Sequence, residues 1–450
     1  MVWLKHLSAS VTDPPEVVGG KAHGLVLLHR LGLPVPAGFV VTTEACRAFL
    51  RDGSLPDEFW SSLASAVSSL GASLVSVRSG AAVSMPGMMD TILNVPPSAV
   101  PEAVRSVFAS WHTPRARTYR TLHDIPHDLG TAVIVQRMVF GDRDERSGSG
   151  VAFSRDPDTG VRAPFGEVLF GHQGSAVVSG ASLTRPLAAL DREPFVWQEL
   201  LAALDLVERH FRDACYVEFT FESGALWLLQ VRPGRFTGAA AVRLAVDLVE
   251  EGVISRSEAL VRVSPQDLRH VRTPRLASGA DVLGRGIGVC PGVAVGRVAV
   301  TADEAVRMAV DGPVVLVRPE TSPDDIRGLA AATGIVTARG GPASHAAVVA
   351  RSMGKPAVVG VAALEVGAES VALGGRTVGV GSLLSIDGSS GEVVLGSAEV
   401  VTGGVDGALR RLLGWADEVV AEASGDALPG TGTERNEAER LRAAQAVLRK

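Results

Sequence analysis

Three cysteines, Cys46, Cys215 and Cys290, are all that this 450-residue sequence contains. They are odd in number and far apart, which argues against a disulfide framework and a Cys-x-x-Cys metal site and leaves buried thiols in a reducing compartment as the expectation. Lysine is as scarce. Of 43 basic residues only Lys5, Lys21, Lys355 and Lys450 are lysines, so each is worth placing. No run reaches the roughly 18 uninterrupted apolar residues of a membrane span, and the start MVWLKHLSAS has no apolar signal core. The expectation is therefore no membrane, with a cytoplasmic location. A basic block is missing too, and a formal charge of -6 argues against nucleic acid as a partner gripped through its phosphates. Neither an internal repeat of fixed period nor a low-complexity segment is found.

What is present suits a folded enzyme. Apolar residues make up 46% and charged residues 20%, enough for sizeable cores. At about 150 residues per domain the length predicts about three domains. Glycine and proline, 50 and 25 in number, punctuate short apolar runs such as LPVPAGFVVT, TAVIVQRMVFG and GALWLLQVRPG, which read as strands. From Thr237 the spacing turns helical, with a break at Gly252, and predicts a two-helix connector. Strand-like runs resume with GVAVGRVAV, GPVVLVRP, TGIVTA and KPAVVG, a second α/β unit. An amphipathic segment, a breaker-rich stretch and a charged helical ending follow, too short a tail for a further domain.

Four segments could carry chemistry. In VVGGKAHGLVLL, Gly19 and Gly20 precede Lys21 and a helix, a pattern that suits backbone contact with polyphosphate and is equally an ordinary turn before a helix. In SLVSVRSGAAVSMPGMMD a strand delivers Arg78 into a small-residue loop, where its planar fork can meet phosphate oxygens. Met85, Met88 and Met89 follow, an apolar wall or part of the core, with composition favouring core.

The third, ACYVEFTFESGALWLLQVRPG, reads as a hairpin. Alternation puts Gln230 and Arg232 on one face, and cross-strand pairing can set Glu218 beside them as a carboxylate for Mg²⁺; a surface ion pair is the bland alternative. The fourth is TGIVTARGGPASHAAVVARSMGKPAVVG. A strand ends in Arg339, Gly340 and Gly341, Ser344 stands at an N-cap, and His345 opens a helix, where it is expected to face outward. A neutral imidazole there is a competent nucleophile toward phosphorus, helped by the helix N-terminus and Arg339, or else a capping-region histidine without chemistry.

Together and in this order these segments, with QRMVFGDRDERSGSGVAFSRDP and VRPETSPDDIRGL, resemble pyruvate phosphate dikinase and its relatives, including phosphoenolpyruvate synthase. The likeness runs from about residue 15 to 415. It implies an α/β (α+β multidomain) architecture: a split ATP-grasp nucleotide domain over 1–235, a helical connector over 236–282, a swivelling β/β/α phosphohistidine domain over 283–400, and a C-terminal helix and charged tail over 401–450. It also implies ATP-binding roles for Lys21, Arg78, Glu218, Gln230 and Arg232, metal ligation by Glu218 and Gln230, and phosphorylation of His345, supported by the loop of Arg339, Gly340, Gly341 and Ser344. ATP, Mg²⁺, inorganic phosphate and pyruvate are the implied substrates and cofactor.

The sequence departs from the family pattern in several places. It stops after GWADEV and a short tail, where relatives begin a pyruvate-binding (β/α)₈ barrel, so a truncated form is expected, with a barrel partner chain acting in trans. Between MMDTILNV and PEAVRSVF a helical insertion of the dikinases looks shortened. The family's Asp-Ile-Glu reads Tyr216, Val217 and Glu218, and its Gln-Gly-Glu-Asp reads Gln173, Gly174, Ser175 and Ala176, losses of carboxylate that should weaken Mg²⁺ binding. Ala343 stands where plant dikinases carry a regulatory threonine. The leading expectation is an ATP-dependent phosphotransferase working through phosphohistidine. The alternatives are an antibiotic phosphotransferase and a non-catalytic nucleotide-binding homologue.

Overall fold

The computed structural model describes residues 3–449 apart from 86, 175–183, 235, 237, 272–273, 278–280, 343, 403–406 and 425–435. Two five-stranded antiparallel sheets come first. One runs in the order Leu4–His6, Gly38–Val41, Ala132–Arg137, Val75–Gly80, Thr91–Val95. The other runs Ala225–Pro233, Cys215–Glu222, Gly148–Phe153, Phe165–Phe170, Arg185–Pro186. All three apolar runs read as strands are strands of these sheets, Ala132–Arg137 at the centre of the first and Ala225–Pro233 at the edge of the second, and the β-branched residues of the central strand, Val133, Ile134 and Val135, are fully buried.

Each sheet has its own core. Helices Thr43–Asp52, Asp57–Ser69 and Val100–Ser110 cover the first through Ala45, Leu63, Val104 and Phe108. Helices Gly20–Arg30 and Pro194–Phe211 bring Leu25, Leu28, Leu200 and Leu204 onto Val217, Phe219 and Leu228 of the second.

The second α/β unit is an eight-stranded mixed sheet. Its centre is parallel, Val293–Ala299, Val314–Arg318, Gly334–Thr337 and Ala357–Val359, and helices Ala302–Met308, Ile326–Ala331 and His345–Met353 cover one face. A three-stranded sheet, Glu365–Val366, Ser370–Leu373 and Arg376–Gly379, packs on the other through Val371, Leu373 and Val378. The layering is the expected β/β/α one.

The connector differs from its expectation. It holds three helices, Gly238–Glu250, Arg256–Arg262 and Pro265–Val271. Gly252, at φ +72°, makes the anticipated break. A second break falls at Ser264 and Pro265, where the Ser264 backbone N–H donates to Asp267 Oδ2 at 2.9 Å. Proline starts a helix well but cannot continue one.

The tail is not a separate piece. Helices Gly407–Ser424 and Glu437–Leu448 bury Leu409, Leu412, Trp415 and Leu441 against Leu244, Leu248, Leu260 and Leu268, so two segments distant in sequence share one core. The chain leaves this helical unit and returns to it through paired strands, Pro274–Leu276 antiparallel to Val400–Thr402. Among the described residues no helix is long and apolar enough to cross a membrane.

Candidate functional site

A cavity of about 1100 Å³ opens between the two antiparallel sheets and is closed on one side by the third sheet's histidine helix. Lys21, Arg78, Tyr216, Glu218, Gln230, Arg232, Thr321 and His345 all line it. Every residue expected to bind nucleotide or metal, and the expected phosphohistidine, is thus brought to one place.

Gly19 and Gly20 build the corner that presents Lys21. Gly19 has φ +79°, and a Cβ there would lie 1.6 Å from the carbonyl oxygen of Gly80; Gly20 donates its N–H to Ala81 at 2.9 Å. These glycines bring the start of the lysine helix against the end of the Arg78 strand. Lys21 and Arg78 therefore reach the cavity from adjoining elements. Desolvation, with Arg78 and Arg232 nearby and Glu218 opposing, pulls the Lys21 ammonium down to about 8.

Arg78 is buried, and desolvation lowers it from its ordinary value against the pull of Glu218. Its Nη2 donates to Gln136 Oε1 and, at 3.0 Å, to the carbonyl of Leu229. That carbonyl is available because the hairpin is bulged: Leu228 opposes Phe219, and Gln230, not Leu229, opposes Glu218. The same bulge sets Arg232 opposite Tyr216, so all four polar residues share the cavity face.

Tyr216, the residue expected to stand in place of an aspartate, contacts both charged neighbours. Its ring carries the Arg232 guanidinium at 4.3 Å, and its hydroxyl donates to Glu218 Oε1 at 3.4 Å. Burial pushes this phenol upward and the Glu218 charge adds to the shift.

His345 is turned inward, contrary to the outward-facing expectation, and is only 9% exposed. The helix register that placed it at a surface took no account of the nucleotide domain. Met85, Met88 and Trp111 of that domain share a core with Ala346, Val349 and Ala350, which seats the helix on the cavity. Composition had favoured core for the methionine loop; Met85 and Met88 are core, while Met85 and Met89 also line the cavity.

Nδ1 of His345 lies 3.0 Å from Thr321 Oγ1, and Nε2 is buried without a partner among the described residues. Burial holds the imidazole down at about 4, with Asp325 opposing, so it is neutral near pH 7. Ser344 is the expected N-cap and accepts from the Ala347 N–H at 3.4 Å.

The rest of the histidine loop packs differently from its expected role. Arg339 is turned to solvent and pairs with Glu320 at 3.3 Å. Gly340, at φ +105°, avoids Ser344, and Gly341 leaves space for Glu167 of the nucleotide domain, whose Oε1 would lie 1.7 Å from a Cβ. Of the expected substitutions near the phosphates, Ser175 and Ala176 lie outside the described residues, as does Ala343. Gln173 bonds Asn94 at 3.1 Å and Asp142 at 3.1 Å.

Electrostatically the site is set for an anion. Lys21, Arg78 and Arg232 converge near Glu218, and Nε of both arginines is buried without a partner among the described residues. Three cations gathered around one carboxylate leave positive charge uncompensated, which is costly away from water and which a polyphosphate relieves.

Residues 15–68 and 50–186 match the pyruvate phosphate dikinase AMP/ATP-binding domain, and residues 310–391 match the mobile domain of enzymes that use phosphoenolpyruvate. Pyruvate, phosphate dikinase of Clostridium symbiosum is 35% identical over 527 residues, covering 92% of this chain and 60% of the relative. Pyruvate, phosphate dikinase 2 of Oryza sativa subsp. japonica is 35% identical, covering 90% and 58%, and the Rhizobium meliloti enzyme is 34% identical, covering 89% and 58%.

The chain belongs to the pyruvate phosphate dikinase family. It spans about 60% of the length of the curated dikinases it matches. The alignment with the Clostridium symbiosum dikinase is longer than this chain itself, so that dikinase carries inserted segments this chain does not have. Among solved structures, an ATP complex of D-alanine–D-alanine ligase from Bacillus anthracis covers 56% of this chain and 66% of its own at 12% identity and a TM-score of 0.26, too slight a likeness to bear on the fold.

Dikinase-family proteins use ATP and typically a divalent metal. Among the described residues no group of three or more His, Cys, Asp and Glu forms a metal cage. Glu218 directly opposite Gln230 fits instead a hard divalent cation that takes few protein oxygens and completes its shell with water and substrate phosphates.

Several residues at the site went unread in the sequence. Gln136 left a signal, a lone amide in the buried run AVIVQR. Thr321 lies in the quoted segment VRPETSPDDIRGL, but no local pattern links it to His345, and none announces Glu167 as the neighbour of Gly341.

Proposed function

We propose that this protein is an ATP-dependent phosphotransferase that forms phosphohistidine on His345 and passes the group to an acceptor. The observation that carries this reading is the bare Nε2 of a neutral, buried imidazole on the wall of a cavity that also gathers Lys21, Arg78 and Arg232.

With its proton on Nδ1 donated to Thr321 Oγ1, the ring presents the Nε2 lone pair toward the cavity. An N–P bond forms as the P–O bond to the departing nucleotide breaks. The imidazolium charge that develops is carried at Nδ1–H, beside the threonine oxygen. Lys21, Arg78 and Arg232 hold the phosphates and neutralise charge as it builds on the leaving group, which is most of what phosphoryl transfer asks of a protein. Mg²⁺ held by Glu218 and Gln230 would supply further charge neutralisation on the phosphates.

Pyruvate and inorganic phosphate are the proposed cosubstrates, by the names of the relatives, and a partner chain is the proposed carrier of the acceptor site. The test is incubation of the purified chain with β- or γ-labelled ATP, Mg²⁺ and phosphate. Acid-labile label that is lost in His345→Ala supports the reading, and the labelled position shows which phosphorus moves. Absence of label under all these conditions overturns it. Chase of the labelled protein with pyruvate then tests the acceptor.

A further inference from the structure

The nucleotide and histidine domains also meet at a charged contact away from the cavity. Arg351 lies toward the far end of the helix that begins with His345. Its Nε donates to Asp158 Oδ1 at 3.1 Å and its Nη2 to Asp158 Oδ2 at 2.9 Å, a two-point pair with the side chains 17% and 16% exposed. The third nitrogen, Nη1, donates to the carbonyl of Pro342, in the loop that leads into His345. One guanidinium therefore touches the histidine loop of its own domain and a carboxylate of the other.

Asp158 is presented by a firmly held loop. The N–H groups of Asp158 and Thr159 donate to Asp156 Oδ1 at 2.9 and 3.3 Å, and Gly160 donates to the Asp156 carbonyl at 2.8 Å. Gly160 sits on the connector, where a Cβ would lie 2.8 Å from the carbonyl oxygen of Ala240. Beside it, fully buried Arg155 joins Glu208 of the nucleotide domain to Glu251 of the connector, both at 2.7 Å. The carboxylate that Arg351 meets is thus fixed to the frame of the nucleotide domain.

We propose that Asp158 and Arg351 form a docking latch, with Arg351 a positioning residue that sets the orientation of His345 for attack. This rests on the phosphotransfer reading above. The apolar contact of Met85, Met88 and Trp111 with the histidine helix attracts without specifying direction, whereas a two-point guanidinium–carboxylate pair fixes both distance and angle. In-line transfer tolerates little error, since a displacement of about 1 Å is worth on the order of 100-fold in rate. The pair is also reversible. Each partner regains water when the domains separate, so the latch holds the histidine domain during transfer from nucleotide and lets it go afterwards.

The test compares the full chain with Asp158→Asn, Asp158→Arg and the exchange Asp158→Arg/Arg351→Asp. Single-turnover formation of acid-labile label on His345 is followed together with nucleotide affinity, and domain separation is followed by small-angle scattering. The two single variants should slow labelling by about tenfold or more with nucleotide affinity unchanged, and the exchange should recover most of the loss. Scattering should show Asp158→Arg expanded and the exchange compact. A single variant that labels at the wild-type rate, or an exchange that recovers nothing, overturns the latch while leaving the phosphotransfer reading intact. Failure of the wild type itself to label overturns the phosphotransfer reading alone. Scattering then decides the latch by itself, since an Asp158→Arg chain as compact as wild type refutes it.

Discussion

Thr321 Oγ1 lies 3.0 Å from Nδ1 of His345, while Nε2 of the same ring is buried in the cavity wall with no partner among the described residues. The two ring nitrogens are thereby given different tasks, one held by a hydroxyl and one free to bond to phosphorus. Thr321 comes from a loop on one side of the histidine helix, so the pairing of Nδ1 is set by tertiary packing.

Removing that hydroxyl should blur the distinction. Thr321→Val is expected to slow phosphohistidine formation by about tenfold, the cost of one hydrogen bond to a group that becomes charged. Phosphorus NMR of the denatured labelled protein should show Nε2-phosphohistidine alone in the wild type and a mixture with the Nδ1 isomer in the variant. An unchanged rate with pure Nε2 product would remove Thr321 from the mechanism.

Lys21 makes nucleotide binding depend on alkaline pH. In the free protein its ammonium is held down to about 8, mainly by desolvation, and bound phosphate favours the charged form. Above about pH 8 the free site has lost this proton and must recover it on binding, so ATP affinity should fall as pH rises and binding should take up a proton. Titration calorimetry at pH 9 in buffers of different ionisation enthalpy measures that uptake, which Lys21→Met should abolish. The stability effect has the opposite sign. The unfolded chain binds more protons between about 8 and 10.5, so this lysine costs less stability as pH rises through that window.

The histidine also carries a pH signature, on the acid side. Its pKa of about 4 in the docked structure lies below the ordinary 6.5, so the undocked or unfolded chain binds more protons between these values. Stability should therefore be lost as pH falls below about 6.5, and the loss should level off near pH 4. His345→Gln should flatten that part of the profile by an amount on the order of 1 to 3 kcal/mol in thermal unfolding experiments.

Gly341 tests how closely the two domains approach. A Cβ at this position would meet Glu167 Oε1 at 1.7 Å, so Gly341→Ala forces the histidine loop away from the nucleotide domain. Labelling of His345 should drop by about tenfold or more while ATP still binds, because loss of near-attack geometry is felt in rate before affinity. Glu167→Ala in the same chain should restore part of the rate.

Tyr216 offers a test of the metal site. Tyr216→Asp removes the ring that carries Arg232 and adds a carboxylate beside Glu218. Mn²⁺ affinity, read by electron paramagnetic resonance, should tighten by about tenfold, since affinity at hard-cation sites follows ligand charge. No tightening would show that Glu218 and Gln230 do not hold the metal.

Much of this arrangement was legible along the chain because its patterns are local. Alternation put Gln230 and Arg232 on one face, glycine pairs marked the lysine corner and the histidine loop, and Ser344 announced a helix start. Contacts between distant segments were not legible. The connector and the tail read as unrelated amphipathic pieces because the partner that buries each apolar face lies in the other, as Leu248 and Leu412 show. Asp158 and Arg351 are 193 positions apart, and no local pattern pairs them.

The sequence by itself determined which groups are available for phosphoryl chemistry and on which side of a strand or at which end of a helix each stands, because those follow from backbone periods of a few residues. Tertiary structure decided what state the groups are in. The bulge at Leu229 brought Gln230 opposite Glu218 and turned a carbonyl to Arg78. Docking buried His345, lowered its pKa to about 4 and left Nε2 facing the cavity. Desolvation and long-range pairing depend on residues more than a hundred positions apart, as Arg78 and Leu229 or Met85 and Ala346 show, and no local pattern carries that information.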